Sequence, residues 1–168
     1  IFHYTGMASE KKAIQRLTSK SSKVSCHYFI KKNGEIINMV PDKFIAWHAG
    51  VSYWQKDTNL NSKSIGFELQ NKGSKYGYHS FKKSQINALI FLYCTVIWRW
   101  NEVKKRLNQS RLFYEEASWY DGQIWEKPFI ILKNDRLLVT QKIDPVLGRL
   151  INTLIFLIYL EILFLILI

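Results

Sequence analysis

Histidine is confined to the first half of this 168-residue chain, at His3, His27, His48 and His79, and cysteine occurs only at Cys26 and Cys94. The two cysteines lie far apart with no Cys-x-x-Cys or Cys/His spacing, which argues against a disulfide framework and a thiolate zinc site. Cys94 sits in an apolar stretch and is expected in the core. Basic residues outnumber acidic ones by 24 to 13, a formal net charge of +11. They are scattered, however, and no Lys/Arg run is interleaved with aromatics, so nucleic-acid binding is not expected. The charge suits acidic lipid or a cell-wall polymer instead. There is no internal repeat, and no charged segment followed by an apolar one opens the sequence as a leader would. Strand-like residues begin at Ile1, so an upstream piece is expected.

What is present is enough to fold: 48% of the residues are hydrophobic and 15% aromatic, and the length suits a single domain. Residues 1–4 read as the end of a buried strand, and Ser9 as the N-cap of a helix whose inner face carries Ala13, Ile14 and Leu17. Residues 24–30 and 35–40 are short apolar β-rich runs about Asn33-Gly34, a hairpin signal. Residues 44–61 read as an ordered loop and 64–70 as a further strand. Residues 84–100 carry apolar side chains at helical spacing. Residues 101–109 are charged, 113–125 mix aromatics with acids, and 129–140 are expected to form a hairpin about Lys133-Asn134-Asp135. Residues 151–168 are almost all Leu, Ile and Phe. A membrane span needs about 20 apolar residues without a central charge, and Glu161 makes this tail a marginal one.

Three places could do chemistry. His3 closes a strand in Phe2-His3-Tyr4-Thr5-Gly6, where a side chain can project into a cleft and ligate a metal; taken alone, a structural histidine is the commoner case. Glu68, in Ser64-Ile65-Gly66-Phe67-Glu68-Leu69-Gln70, is flanked by apolar residues, so its pKa should be raised unless it is paired. Such an acid could deprotonate a metal-bound water and pass the proton to a leaving nitrogen. The competing reading is a glutamate on the solvated face of an edge strand. Trp47-His48-Ala49-Gly50, with Ser52 and Trp54, suits the wall of a sugar-peptide cleft, or a structural aromatic cluster. His27, inside a strand, is assigned to the core or to a supporting role, and His79 to the surface.

In order along the chain, Phe2-His3-Tyr4-Thr5-Gly6-Met7, Val24-Ser25-Cys26-His27-Tyr28-Phe29-Ile30, Asn33-Gly34-Glu35-Ile36, Ala46-Trp47-His48-Ala49-Gly50-Val51-Ser52-Tyr53-Trp54, Leu60-Asn61, Ser64-Ile65-Gly66-Phe67-Glu68 and Gln70-Asn71 resemble the zinc-dependent N-acetylmuramoyl-L-alanine amidases. That family includes anhydro-muropeptide amidases, phage amidases and peptidoglycan recognition proteins. The resemblance implies an α/β fold, a mixed central β-sheet flanked by helices, over residues 1–101. A divergent or inserted segment follows at 102–150, then the apolar tail at 151–168, together an irregular C-terminal extension. It also implies a zinc cofactor, peptidoglycan or a muropeptide as partner, and hydrolysis of the amide between N-acetylmuramic acid and L-alanine. His3 would be a metal ligand and Glu68 the catalytic acid/base, while Tyr28, Trp47, His48, Ala49, Trp54 and Asn61 would line the substrate site.

The family's second zinc histidine has no counterpart after His79. Gln141-Lys142-Ile143-Asp144-Pro145 resembles a later family segment, which would make Lys142 the oxyanion stabiliser and Asp144 a metal ligand. Alternatively, residues 138–142 can be encoded so that a shifted frame reads Gly-His-Ser-Glu, which would make the tail out-of-frame translation and the Lys142/Asp144 match accidental; the frameshift is the favoured of the two. Three readings of function are open: a cell-wall hydrolase, inactive in this form if the ligand set is broken; a non-catalytic peptidoglycan-binding module; and a degenerate domain tethered to a membrane through its apolar tail.

Overall fold

The computed structural model of the chain describes residues 1–54, 56–77, 79–116 and 119–166. It divides into two compact units, Ile1–Leu89 and Ile90–Ile168. The division falls inside a long helix, so no linker composition marks it.

The first unit is built on a four-stranded mixed sheet in the order β1-β4-β2-β3, with β1 at Phe2–Tyr4, β2 at Tyr28–Ile30, β3 at Ile36–Asn38 and β4 at Phe67–Leu69. β4 runs parallel to both β1 and β2, and β2 pairs antiparallel with β3 through the Asn33-Gly34 turn. Gly34 has φ +89° there, and a Cβ on it would come within 2.6 Å of the Ser84 carbonyl oxygen; only glycine meets both demands. The strands are shorter than the apolar runs that predicted them, because bends and backbone bonds to loops continue the flanks. Helix α1, Glu10–Thr18, starts where expected, with the Ser9 hydroxyl accepting from Lys12 N–H at 3.3 Å and Glu10 in the first turn. Ala13 of α1 joins Cys26 and Phe29 in a buried cluster, flanked by Met7, Ile14, Leu17, Ile37 and Met39. Each large apolar side chain buried this way contributes roughly 1.5–3 kcal/mol.

Helix α2, Lys83–Asn108, begins as the periodicity predicts and runs eight residues past Trp100, because the charged residues that follow are good helix formers on a solvated surface. Its buried positions are Gln85, Ala88, Leu89, Leu92 and Tyr93, at the i, i+3, i+4 spacing of one helix face. Cys94, expected in the core, is exposed: it lies one step in helical phase beyond Tyr93.

The remainder of the second unit is regular where an irregular extension was expected. Strands β5, Arg111–Glu116, and β6, Trp119–Glu126, form an antiparallel pair with an irregularity between Phe113 and Glu115. Residues 129–140, expected to form a hairpin, are instead helix α3, Phe129–Leu138, which continues through one π-helical turn, Val139–Ile143, into α4, Asp144–Ile166. Two interactions explain the difference. Val139, Ile143 and Leu147 recur every fourth residue and bury one helical stripe with Ile97 and Leu107. Asp135, in the expected turn, instead pairs with the buried Lys127 at 2.8 Å. By length and composition alone, the run Phe129–Leu163 is apolar enough to cross a membrane. The last two residues of the apolar tail lie outside the described residues.

Candidate functional site

Parallel pairing of β1 with β4 places His3 opposite Glu68, and β4 with β2 places Phe29 opposite Glu68. Side chains of directly paired residues leave the same face of a sheet, so His3, Glu68 and Phe29 share one. β4 lies between two other strands, so Glu68 is on a central strand, not an edge. A cavity of about 200 Å³ opens beside it, lined among others by Thr5, Ala13, Leu17, Trp47, His48 and Glu68. Glu68 Oε2 is buried with no hydrogen-bond partner among the described residues. Burial pushes its carboxyl up to about 7, as the apolar flanks in the sequence predicted. The nearby Cys26 thiol is held protonated, pushed up to about 12 by burial first and by the Glu68 charge second. It is a core group.

The histidines form a chain of fixed tautomers. Gly66 N–H donates to His27 Nδ1 at 3.0 Å, so His27 carries its proton on Nε2 and donates it to the Phe44 carbonyl at 3.1 Å. Both ring nitrogens are thus used by backbone, and His27 is a buried structural residue. The Ser64 hydroxyl gives its proton to the Leu60 carbonyl at 2.6 Å. Ser64 O and Oγ, at 3.4 and 3.3 Å, therefore accept from His48 Nε2–H. His48 Nδ1 is then an acceptor, receiving His3 Nε2–H at 3.3 Å, and the lone pair of His3 rests on Nδ1. Burial is the main cause lowering both rings; His48 falls to about 4.

Gly66 lets this chain form. A Cβ there would stand 2.3 Å from His48 Cγ, so the ring occupies space that only glycine leaves. In the sequence Gly66 falls within the strand expected over residues 64–70, where a glycine is a signal of close approach; in the structure it immediately precedes β4 and marks this contact. Asn61 sets the backbone of the same loop: its Oδ1 accepts from His48 N–H at 2.9 Å and from Ala49 N–H at 2.8 Å. Ser25 Oγ accepts from Trp47 N–H at 2.9 Å, leaving the indole exposed at the cavity wall.

The structure therefore brings together His3, Glu68, Trp47 and His48, with Ala49 and Asn61 directly behind. It does not bring Tyr28 to them. Paired with Phe67, Tyr28 leaves the opposite face of the sheet, where it stacks on the Phe67 ring and donates to Asp42 Oδ1 at 2.8 Å. Trp54 is exposed, in a small turn closed by backbone bonds with Asp57. Lys142 and Asp144 belong to the second unit, where Asp144 pairs with Lys104 at 2.7 Å and Lys142 is exposed on the π-helical turn. Among the described residues no three His, Cys, Asp or Glu side chains are grouped to hold a metal ion. A catalytic zinc needs three protein ligands and one open position. His48 Nδ1 is engaged by His3, and no third donor stands with Glu68. The described residues do not fit a catalytic zinc site.

The sequence pattern of one family, CGLD27-like (conserved in the green lineage and diatoms 27), matches residues 43–156, more than half of the chain. The chain belongs to the CGLD27-like family. This match continues in the frame as written through residues 139–144, so the out-of-frame account of those residues is withdrawn. The uncharacterized protein ycf36 of Porphyra purpurea is 42% identical over 76 residues, 44% of this chain and 46% of that protein. The N-acetylmuramoyl-L-alanine amidase AmiD of Escherichia coli is 38% identical over 114 residues, 60% of this chain and 40% of that protein. The chain thus matches less than half the length of either relative. Among solved structures, AmpDH3 of Pseudomonas aeruginosa in complex with anhydromuramic pentapeptide superimposes with a TM-score of 0.53 at 32% identity, over 58% of this chain and 44% of that one. AmiD of E. coli in complex with anhydro-N-acetylmuramic acid-L-Ala-D-gamma-Glu-L-Lys gives 0.50 at 37% identity, over 58% and 42%. The mixed sheet with its flanking helices is an N-acetylmuramoyl-L-alanine amidase-like fold, extended by C-terminal helices.

Proposed function

We propose that the first unit is a muropeptide-binding module of amidase type that retains the acid/base glutamate but binds without hydrolysing. The observation that carries this reading is Glu68 at the wall of a cavity, in register with His3 on the neighbouring strand, within a set of side chains that, among the described residues, lacks the donors for a catalytic metal. His48, fixed by Ser64, orients His3 by accepting its Nε2 proton. Glu68, protonated below about pH 7, can donate a hydrogen bond to an amide carbonyl entering the cavity, and Trp47 offers an apolar face to the ligand. In amidases of this kind zinc supplies an activated water and polarises the carbonyl; no step here is assigned to it, because the donors do not suffice. Support comes from the solved amidases with bound anhydromuramyl peptides, which share the fold at more than 30% identity.

The test is calorimetric titration of the full chain with anhydro-N-acetylmuramic acid-L-Ala-D-γ-Glu-L-Lys in buffer containing zinc, with chromatography of the mixture afterwards. Saturable binding with intact ligand is the expected result. Released tripeptide would show that the metal set is completed by some other route and that the module is a hydrolase. Absence of binding would remove the muropeptide reading altogether.

A further inference from the structure

In the second unit, helix α4 has the polarity of a water-facing helix turned inside out. Ile155, Ile158, Tyr159 and Ile162 stand on one of its faces and Phe156, Leu160 and Leu163 on the adjacent one, and all seven are exposed. Ile155, Phe156 and Tyr159 are the most open, at 60%, 59% and 60%. At 3.6 residues per turn these positions sweep an arc of roughly 200°, wider than the stripe by which a helix packs on a soluble core. Leu150, Leu154, Leu157 and Glu161 form the remaining stripe, and they are the partly covered ones. Glu161 is the only charge in residues 150–166. It is thus kept off the exposed arc, where a helix facing water would carry its charges. Residues from 157 onward also lie beyond the family pattern, which ends at residue 156.

The residues leading into this arc carry the complementary feature. Lys133, Arg136, Lys142 and Arg149 are exposed and make no ion pair among the described residues, whereas the two acids of the same run, Asp135 and Asp144, are held by Lys127 and Lys104. We propose that α4 inserts from Leu150 onward into the hydrocarbon of a lipid bilayer, with these four cations against an anionic headgroup surface. Residues 150–166 of α4 rise about 25 Å along the helix axis, close to the hydrocarbon thickness of about 30 Å. Basic residues beside an apolar helix are drawn to anionic lipid. A second copy of the chain would cover a narrow seam, leaving much of the arc in water, and would bring the same cations against each other. The inference is independent of the muropeptide reading of the first unit.

The test is flotation of the full chain, diluted from detergent, with vesicles of phosphatidylcholine alone or mixed with phosphatidylglycerol, followed by washing in high salt and in alkaline carbonate. The chain is expected to float with both vesicles, more completely with the anionic ones, and to resist both washes. Ile155→Lys combined with Ile162→Lys alters two positions that the fold leaves open, so helical circular dichroism should be kept while vesicle partition falls on the order of a hundred-fold. Ile155→Leu combined with Ile162→Leu should float as wild type does. Lys133→Gln, Arg136→Gln, Lys142→Gln and Arg149→Gln together should remove the preference for phosphatidylglycerol and leave carbonate resistance in place. A chain that stays at the bottom of the gradient, washes off in high salt, or floats equally well with the two lysines would overturn the insertion. A soluble dimer that does not float would give the arc to a second copy instead.

Discussion

Glu68→Gln is expected to stabilise the first unit at pH 8 by on the order of 3 kcal/mol and to change nothing at pH 4. The carboxyl is pushed up to about 7 by burial, from an ordinary value near 4.5 in the unfolded chain. Each pKa unit is worth about 1.4 kcal/mol of differential stability. Between those two values the folded chain holds a proton that the unfolded chain has lost, so this group's contribution is complete below about pH 4.5 and falls away as pH rises through 7. Above that, the folded chain carries a desolvated carboxylate with an unpartnered oxygen, and glutamine removes the charge at constant shape. His48 works in the opposite direction. Burial lowers it to about 4, so its contribution is present above its unfolded value and is lost as pH falls toward 4. The two slopes oppose each other through the mildly acid range, and the wild-type chain should be nearly flat there. Glu68→Gln should unmask the histidine and show stability rising with pH. Urea unfolding at pH 4, 6 and 8 reads all of this, and an unchanged midpoint at pH 8 would show that Glu68 is solvated.

The second large effect belongs to the other unit. Lys127 has only 3% of its side chain exposed. Its ammonium donates to the Arg106 and Leu107 carbonyls at 2.9 and 3.1 Å and to Asp135 Oδ2 at 2.8 Å. It thus closes the C-terminal end of α2, where carbonyls lack helical partners, and ties that end to α3. Lys127→Met fills similar volume with no donor, stranding Asp135 and two carbonyls. Breaking a buried pair on one side costs about 3–5 kcal/mol. Loss of helical circular dichroism at a markedly lower temperature is the expected result, and Asp135→Asn in the same background should restore part of it by removing the orphaned charge. A variant as stable as wild type would show that the ammonium is not part of the structure's support.

Much of the first unit was legible because its signals are local. Ser9 caps the predicted helix, Asn33-Gly34 makes the predicted hairpin, and the alternation of Phe67, Glu68 and Leu69 separates acid from core as the strand period requires. Pairing order was not legible from periodicity. Only the resemblance to known amidases put His3 beside Glu68, since nothing in either strand alone says that β1 and β4 are neighbours. The His48 contacts were hidden for the same reason: they depend on Asn61, Ser64 and Gly66, one segment before β4 that the fold brings against the distant His48 loop. In the second unit the local signal pointed the wrong way. Lys133-Asn134-Asp135 has turn composition, but the fourfold recurrence of Val139, Ile143 and Leu147 and the pairing of Asp135 with Lys127 outweigh it. Cys94 shows how far phase matters, since one helical step separates it from the buried Tyr93.

Glu68 sits as a desolvated acid in a cavity that, on the proposed function, receives a muramyl peptide. Carbon-13 NMR of the Glu68 side-chain carboxyl, followed against pH with and without the anhydromuramyl tripeptide, tests it most directly. The expected result is a midpoint near 7 in the unliganded chain that moves when the ligand is added. A midpoint near the ordinary glutamate value, indifferent to the ligand, would contradict it.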